Sequence, residues 1–274
     1  MKKEKLPYLN DILFKGLLTF TKGVKIGNQN ISFIKEYKPV LIDKINLLAY
    51  KKEFAFSQEL PLTYLYLLAQ RAQIPLMLDK QFSISIPGLI HIENTLEQFL
   101  TININEPIEL KASVFVESKV EGSLYPIFKV DFFQNNKKIA FCESKYIAVR
   151  KSTAKKQKRD KPELLVEPEF SEKWNITKKE IKQYAQLSGD KNPIHTSVLI
   201  AKIFGFKSTL AHGWYLVSRA ISSTELINNE EINSFHCEFH HAILLPSSPS
   251  FIIKNKMINI INKTRVSLII RINS

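Results

Sequence analysis

One pattern constrains the fold of this chain more than any other, and it occurs twice: a helix apolar on nearly every face, then a run of strands. In the first half, LPLTYLYLLAQRAQIPLMLD (60–79) reads as a buried helix, disturbed near Pro75. Strand-like stretches follow at 88–99, 107–118, 124–134 and 138–149, and Asn135 with Asn136 marks a hairpin turn between the last two. In the second half, AHGWYLVSRAISSTEL (211–226) is again a mostly apolar helix, followed by strands at 233–245, 250–260 and 265–273. An all-round apolar helix has to be covered, and an antiparallel sheet wrapped around it does so. The expected class is α+β, with two such halves side by side. The duplication is of architecture, with little residue identity and no short-period repeat.

The boundary between the halves is RKSTAKKQKRDKPELLVEPE (150–169), which separates 1–149 from 170–274. Its first half is crowded with lysine and arginine, it lacks aromatic residues, and Pro162 and Pro168 stiffen its end. That composition suits a solvated linker, and also a patch that attracts phosphates. A chain of 274 residues can bury a core without metal or disulfide staples. Cys142 and Cys237 lie far apart in separate apolar runs, which fits a reducing compartment. The start, MKKEKLPYLNDILFKGLLTF, is charged like a signal peptide, but Asp11 and Lys15 interrupt its apolar part and no small-residue cleavage site follows. No uncharged apolar run reaches about 18 residues, so no membrane span is expected and a cytoplasmic location is the default. The formal net charge of +13 suggests nucleic acid, a membrane surface, an acidic carrier protein or a phosphate-bearing ligand, without choosing among them.

The chemistry concentrates in a short stretch of the second half. TKKEIKQYAQLSGD (177–190) opens on Thr177 and Glu180 at capping-box spacing and carries Ile181, Tyr184, Ala185 and Ser188 on one helical face. Gly189 is placed to end the helix left-handed, Asp190 and Asn192 are turn formers, and Pro193 opens a second short helix ended by Gly205. Asp190 and His195 therefore stand near the ends of two helices across a tight turn, where both could hold one water molecule for general acid/base catalysis. In LAHGWY (210–215), Gly213 lies at the start of the greasy helix, where free backbone N–H groups can receive a developing oxyanion. The plainer alternative is that Asp190 and Asn192 cap a turn while His195 and His212 fill polar niches.

The string Tyr184-Ala185-x-x-Ser188-Gly189-Asp190-x-Asn192-Pro193-Ile194-His195, followed by Ala201, Gly205 and Ala211-His212-Gly213, closely resembles the MaoC-like, (R)-specific enoyl-CoA hydratase family. LPLTYLYLLA and IPGLIHIEN resemble, more loosely, the amino-terminal part of its two-domain members. The resemblance implies a double hot-dog fold: two halves, each a curved antiparallel sheet around a long helix. It implies reversible hydration of trans-2-enoyl thioesters to (R)-3-hydroxyacyl thioesters in fatty-acid or polyketide-type acyl metabolism. It implies that the residues matching Asp190 and His195 activate water, that Gly213 donates its N–H to the thioester carbonyl, and that Asn192 shapes the motif. Ser188, Gly189, Pro193, His212 and Trp214 support the motif or border the substrate. The implied partner is an acyl-CoA or acyl carrier protein thioester, with no cofactor and no metal, and the chain acts as a monomeric double hot-dog or a homodimer. The first half reads KKEFAFSQEL where the motif would stand. That implies a degenerate half that accommodates the acyl chain, with Leu65, Leu67 and Leu68 suited to it. Trp214 replaces a smaller residue common in the family, and either narrows the acyl pocket or packs in the core.

HCEFHH (236–241) places His236 and His240 on one strand face and Cys237 and His241 on the other, too few convergent ligands for a zinc site. His91 stands alone and reads as structural. A non-catalytic hot-dog module that binds acyl thioesters or a partner subunit is the competing reading. The basic linker lacks the interleaved aromatics of a single-strand nucleic-acid binder, which counts against nucleic acid.

Overall fold

The computed structural model of the protein describes residues 3–9, 31–86, 89–118, 123–148 and 167–273. Residues 150–166 of the basic boundary and residues 10–20 of the charged start lie outside the described residues. The chain forms two compact units, Met1–Leu47 with Glu59–Gln157, and Leu48–Gln58 with Lys158–Ser274.

The first unit holds β1 (Ser32–Glu36), β2 (Leu89–Gln98), β3 (Glu109–Ser118), β4 (Leu124–Gln134) and β5 (Lys137–Ala148), in the order β1-β3-β4-β5-β2 with every pair antiparallel. A 3₁₀ turn, Leu62–Tyr64, leads into the unit's long helix Leu65–Leu78. This helix runs through Pro75 rather than breaking there. Leu65, Ala69, Ala72 and Leu76 are fully buried, and that burial outweighs an interior-proline penalty of about 3 kcal/mol. Tyr37, just past β1, donates its hydroxyl to the Ala72 carbonyl at 2.8 Å and fixes the helix against the sheet edge. The Asn135–Asn136 turn has φ of 51° and 61°, the paired positive values of a tight hairpin that asparagine tolerates. His91 stacks between Tyr146, 4.6 Å away, and Tyr66, 6.1 Å away, and burial pushes its pKa down to about 3.

The second unit holds β6 (Phe170–Lys173), β7 (Ser234–Phe239), β8 (Ser250–Lys254), β9 (Met257–Asn262) and β10 (Arg265–Ile272), in the order β7-β10-β9-β8-β6, again antiparallel throughout. The apolar run 250–260 is two strands, not one. Asn255 and Lys256 adopt φ of 47° and 57° and turn β8 back onto β9, so the alternation continues across a hairpin. β7 stops at Phe239, which leaves His240 off the strand end, with its Nε2 3.2 Å from Glu238. Cys237 is buried inside β7. Among the described residues, no group of three or more His, Cys, Asp or Glu is placed to hold a metal ion, and no helix is long and apolar enough to cross a membrane.

The unit's long helix is Gly213–Asn228, with Val217, Ala220 and Ile221 fully buried. Its flank is covered by Leu48–Gln58, a segment that sequence reasoning placed with the first half. Tyr50 shares a 2.6 Å hydrogen bond with Ser218, Ser222 donates to the Phe54 carbonyl, and Gln58 donates to Glu225 at 2.8 Å. The Phe54 ring meets those of Tyr184 and Tyr215 at 5.9 and 5.6 Å.

Candidate active site

Four local devices set the geometry of the SGDKNPIH stretch. The helix Lys178–Ser188 is opened by a complete capping box, in which Thr177 Oγ1 accepts from Glu180 N–H and Glu180 accepts from Thr177 N–H, worth about 1 kcal/mol. It ends at Gly189, whose φ of 76° is left-handed and suits glycine. Ser188 donates to the Tyr184 carbonyl at 2.8 Å and accepts from Asp190 N–H at 3.2 Å, so the turn starts from a fixed hydroxyl. Asp190 Oδ1 then accepts from Asn192 N–H, and Asn192 Oδ1 from Ile194 N–H, which caps the short helix Pro193–Thr196. The carboxylate and the imidazole thus hang from one self-bonded turn. Sequence reasoning expected one continuous helix up to Gly205. The structure breaks it at Ser197, whose extended backbone (φ −123°, ψ 117°) separates Pro193–Thr196 from Val198–Ile203, and the Ser197 side chain caps the second piece. Gly205 follows with a left-handed φ of 84°.

The segment Thr209–Gly213 returns to this turn. Leu210 N–H donates to the Ile194 carbonyl at 3.2 Å, and the Leu210 carbonyl lies 3.0 Å from His195 Nδ1. A carbonyl only accepts, so Nδ1 carries the proton and the neutral ring keeps its lone pair on Nε2. Desolvation around the half-buried His195 lowers its pKa, opposed by the nearby Asp190 charge and by the Leu210 hydrogen bond.

His212 joins the two segments. It is buried, its Nε2 lies 2.9 Å from the Asp190 carbonyl, and its ring stacks on His195 at 3.8 Å with an interplanar angle of 26°. Tyr184 closes on it edge-on at 5.1 Å. Burial, and then the neighbouring His195, push the His212 pKa down to about 3, so the ring is a neutral donor to the Asp190 backbone. Sequence reasoning gave His212 only a supporting place. Here it contacts both the Asp190 backbone and the His195 ring and immediately precedes Gly213.

Gly213 opens the long helix from an extended His212 (φ −66°, ψ 132°), so its N–H has no carbonyl behind it within the helix. A side chain there would strike the Phe239 ring, 2.8 Å from where a Cβ would sit. Phe239 ends β7, and nothing in the local sequence around Gly213 points to it. Trp214 is buried, its ring tilted against Phe235 at 6.1 Å, and it packs in the core. Ala201, the remaining small residue of the pattern, is fully buried.

The chain matches the MaoC like domain over residues 162–266. The 3-hydroxyacyl-thioester dehydratase X of Mycobacterium tuberculosis is 26% identical over 216 residues, 76% of this chain and 75% of that protein. The crystal structure of HtdX from the same organism superposes with a TM-score of 0.71 at 21% identity, covering 88% of this chain and all of that one. A MaoC-like dehydratase from Phytophthora capsici superposes with a TM-score of 0.60 at 16% identity, over 93% of this chain and 97% of its own. These likenesses place the chain in the double hot-dog fold.

Proposed function

On the premise that its second half is a MaoC-like dehydratase domain, we propose that the protein is an enoyl-thioester hydratase/3-hydroxyacyl-thioester dehydratase. It adds water reversibly across a trans-2-enoyl thioester to give the (R)-3-hydroxyacyl thioester. The observation that carries this reading is the union of Asp190, His195 and Gly213 around His212. A carboxylate and an imidazole with a free Nε2 lone pair share one turn, and the helix start at Gly213 follows His212 directly.

Conjugate addition needs a proton acceptor for water and a donor for the charge that develops on the thioester oxygen. His195 Nε2 takes the water proton, and Asp190 orients the water and offsets the charge gained by the imidazole. The hydroxyl bonds to the β-carbon, and the pair delivers a proton to the α-carbon. The Gly213 N–H, at the positive end of its helix, receives the enolate-like oxygen. Water and the enoyl thioester account for every atom, and no electrons enter or leave, so the step needs no redox cofactor. Asn192, Ser188, Gly189 and Pro193 hold the turn. The first half of the sequence has no Asp–His pair in the matching place, KKEFAFSQEL, and we assign that half to accommodating the acyl chain. Members of fatty-acid or polyketide-type acyl metabolism are the expected substrates.

The test follows loss of the conjugated thioester absorbance with crotonyl-CoA and a medium-chain enoyl-CoA, and stereochemical analysis of the product. (R)-3-hydroxyacyl product that disappears with Asp190→Asn and His195→Ala supports the reading. A folded protein that binds enoyl thioesters without turning them over overturns it in favour of a binding module.

A further inference from the structure

The segment that follows His195 is unusual in charge and exposure. From Lys191 to Thr224 the sequence contains no Asp or Glu. Within it, the short helix Val198–Ile203 turns Leu199 and Ile203 outward, 70% and 72% exposed. The two are four residues apart and so lie on one helical face, with Lys202 beside them. Lys191 and Lys207 lie before and after this helix in sequence and are exposed as well. None of these three lysines forms an ion pair with another described residue. Ala201, on the opposite face, is fully buried and anchors the helix. The helix starts three residues after His195, across the extended Ser197, and a chain of three residues spans at most about 11 Å, so this helix lies close to the proposed site in the chain.

We infer that Leu199, Ile203, Lys202 and Lys207 form a docking surface for an acidic acyl carrier protein, which presents its thioester on a pantetheine arm. This rests on the function proposed above and names the form in which the substrate arrives. Lysines alone would suit the phosphates of coenzyme A equally well. The two exposed aliphatic side chains distinguish the cases. They stand on a convex helix, which offers no slot for a nucleotide base but fits the apolar surface of a macromolecule. An apolar centre with a cationic rim is complementary to an acidic partner with an apolar patch.

The experiment compares wild type with the double variant Leu199→Ser/Ile203→Ser on two substrates, crotonyl-CoA and crotonyl-loaded acyl carrier protein, with sedimentation of both proteins. The substituted side chains are mostly exposed, so the fold is retained and circular dichroism checks it. The expected result is a loss of roughly tenfold or more in kcat/KM on the carrier-protein substrate, mainly in KM, with the rate on crotonyl-CoA held within about twofold. Lys202→Glu/Lys207→Glu should reduce the carrier-protein rate further and flatten its dependence on salt. An equal effect on both substrates, or no effect on either, overturns the docking surface while leaving the hydratase reading intact. Parallel loss on both together with a shift from dimer to monomer assigns the face to a second copy of the chain instead. Absence of turnover on both substrates with wild type defeats the hydratase reading itself. Carrier-protein titration of wild type and variant then decides the docking surface independently, and indistinguishable binding would end it.

Discussion

The long helices of the two units begin differently. In the first unit, the 3₁₀ turn leads in. Tyr64 N–H donates to the Pro61 carbonyl at 2.9 Å and Leu65 N–H to the Leu62 carbonyl, so donors at the helix start are consumed. In the second unit, Gly213 follows directly from an extended residue, and its N–H has no carbonyl behind it within the helix. The histidines repeat the contrast. His91 is sandwiched between tyrosine rings, whereas half-buried His195 has one nitrogen tied to Leu210 and an acid nearby. One architecture thus supports a purely structural helix in one place and, in the function proposed above, a reactive helix start in the other. The few residues before the helix make the difference.

The sharpest way to break this contrast is to remove the pair. Asp190→Asn and His195→Ala should each lower kcat by about 10²–10⁴, measured by enoyl-thioester hydration on protein that keeps its far-UV spectrum. A reactive helix start also predicts that Gly213→Ala lowers kcat by about ten- to a hundredfold, because the new methyl group must displace the Phe239 ring. Phe239→Leu added to it should restore part of the rate, because it removes the clashing ring. In pH–rate profiles, the lowered pKa of His195 keeps the proposed base neutral into mild acid. kcat/KM should hold its plateau down through pH 6.5 and fall only below it, and an acid limb at or above 6.5 would remove His195 from the base role.

Stability should divide along the same line. Burial raises the pKa of Glu225, in the last turn of the second unit's helix, from 4.5 to about 7. The protonated form is favoured in the folded protein, so this contribution is full below pH 4.5, shrinks as pH rises to about 7, and is gone above it. Glu225→Gln should flatten the urea-denaturation profile between those values and leave the variant more stable at pH 8 by about 3 kcal/mol at most. The smallest effect belongs to the structural helix. Tyr64→Phe, which loses a 3.0 Å hydrogen bond to Asn46, should cost about 1 kcal/mol in the same assay and leave kcat unchanged.

The helix-then-strands plan was readable because it rests on local periodicity. The helix at 65–78, the strands β2 to β5 and the Asn135–Asn136 turn all lie close to where their patterns place them. The split of 250–260 was hidden because Lys256, an unusual residue for a positive φ, does not announce a turn. β1 and β6 are short and carry too few alternations to register. At the site, the capping box, the Gly189 end and the Asn192 cap were legible from spacing alone. The Leu210 carbonyl that sets the His195 tautomer, the His195–His212 stack and the Phe239 ring against Gly213 were not. Each depends on chain segments that meet only after folding.

Leu48–Gln58 has a consequence for how this protein can be divided. The motif-bearing unit is discontinuous along the chain, because Tyr50, Phe54 and Gln58 meet Ser218, Ser222 and Glu225 across the whole of the first sheet in sequence. A fragment expressed from residue 158 onward would lose the Phe54 acceptor of Ser222 and one of the partners of Ser218 and of Glu225, and strip the Phe54 ring from Tyr184 and Tyr215. The motif-bearing half is therefore no portable cassette, and truncations aimed at isolating it must carry that distant strap along.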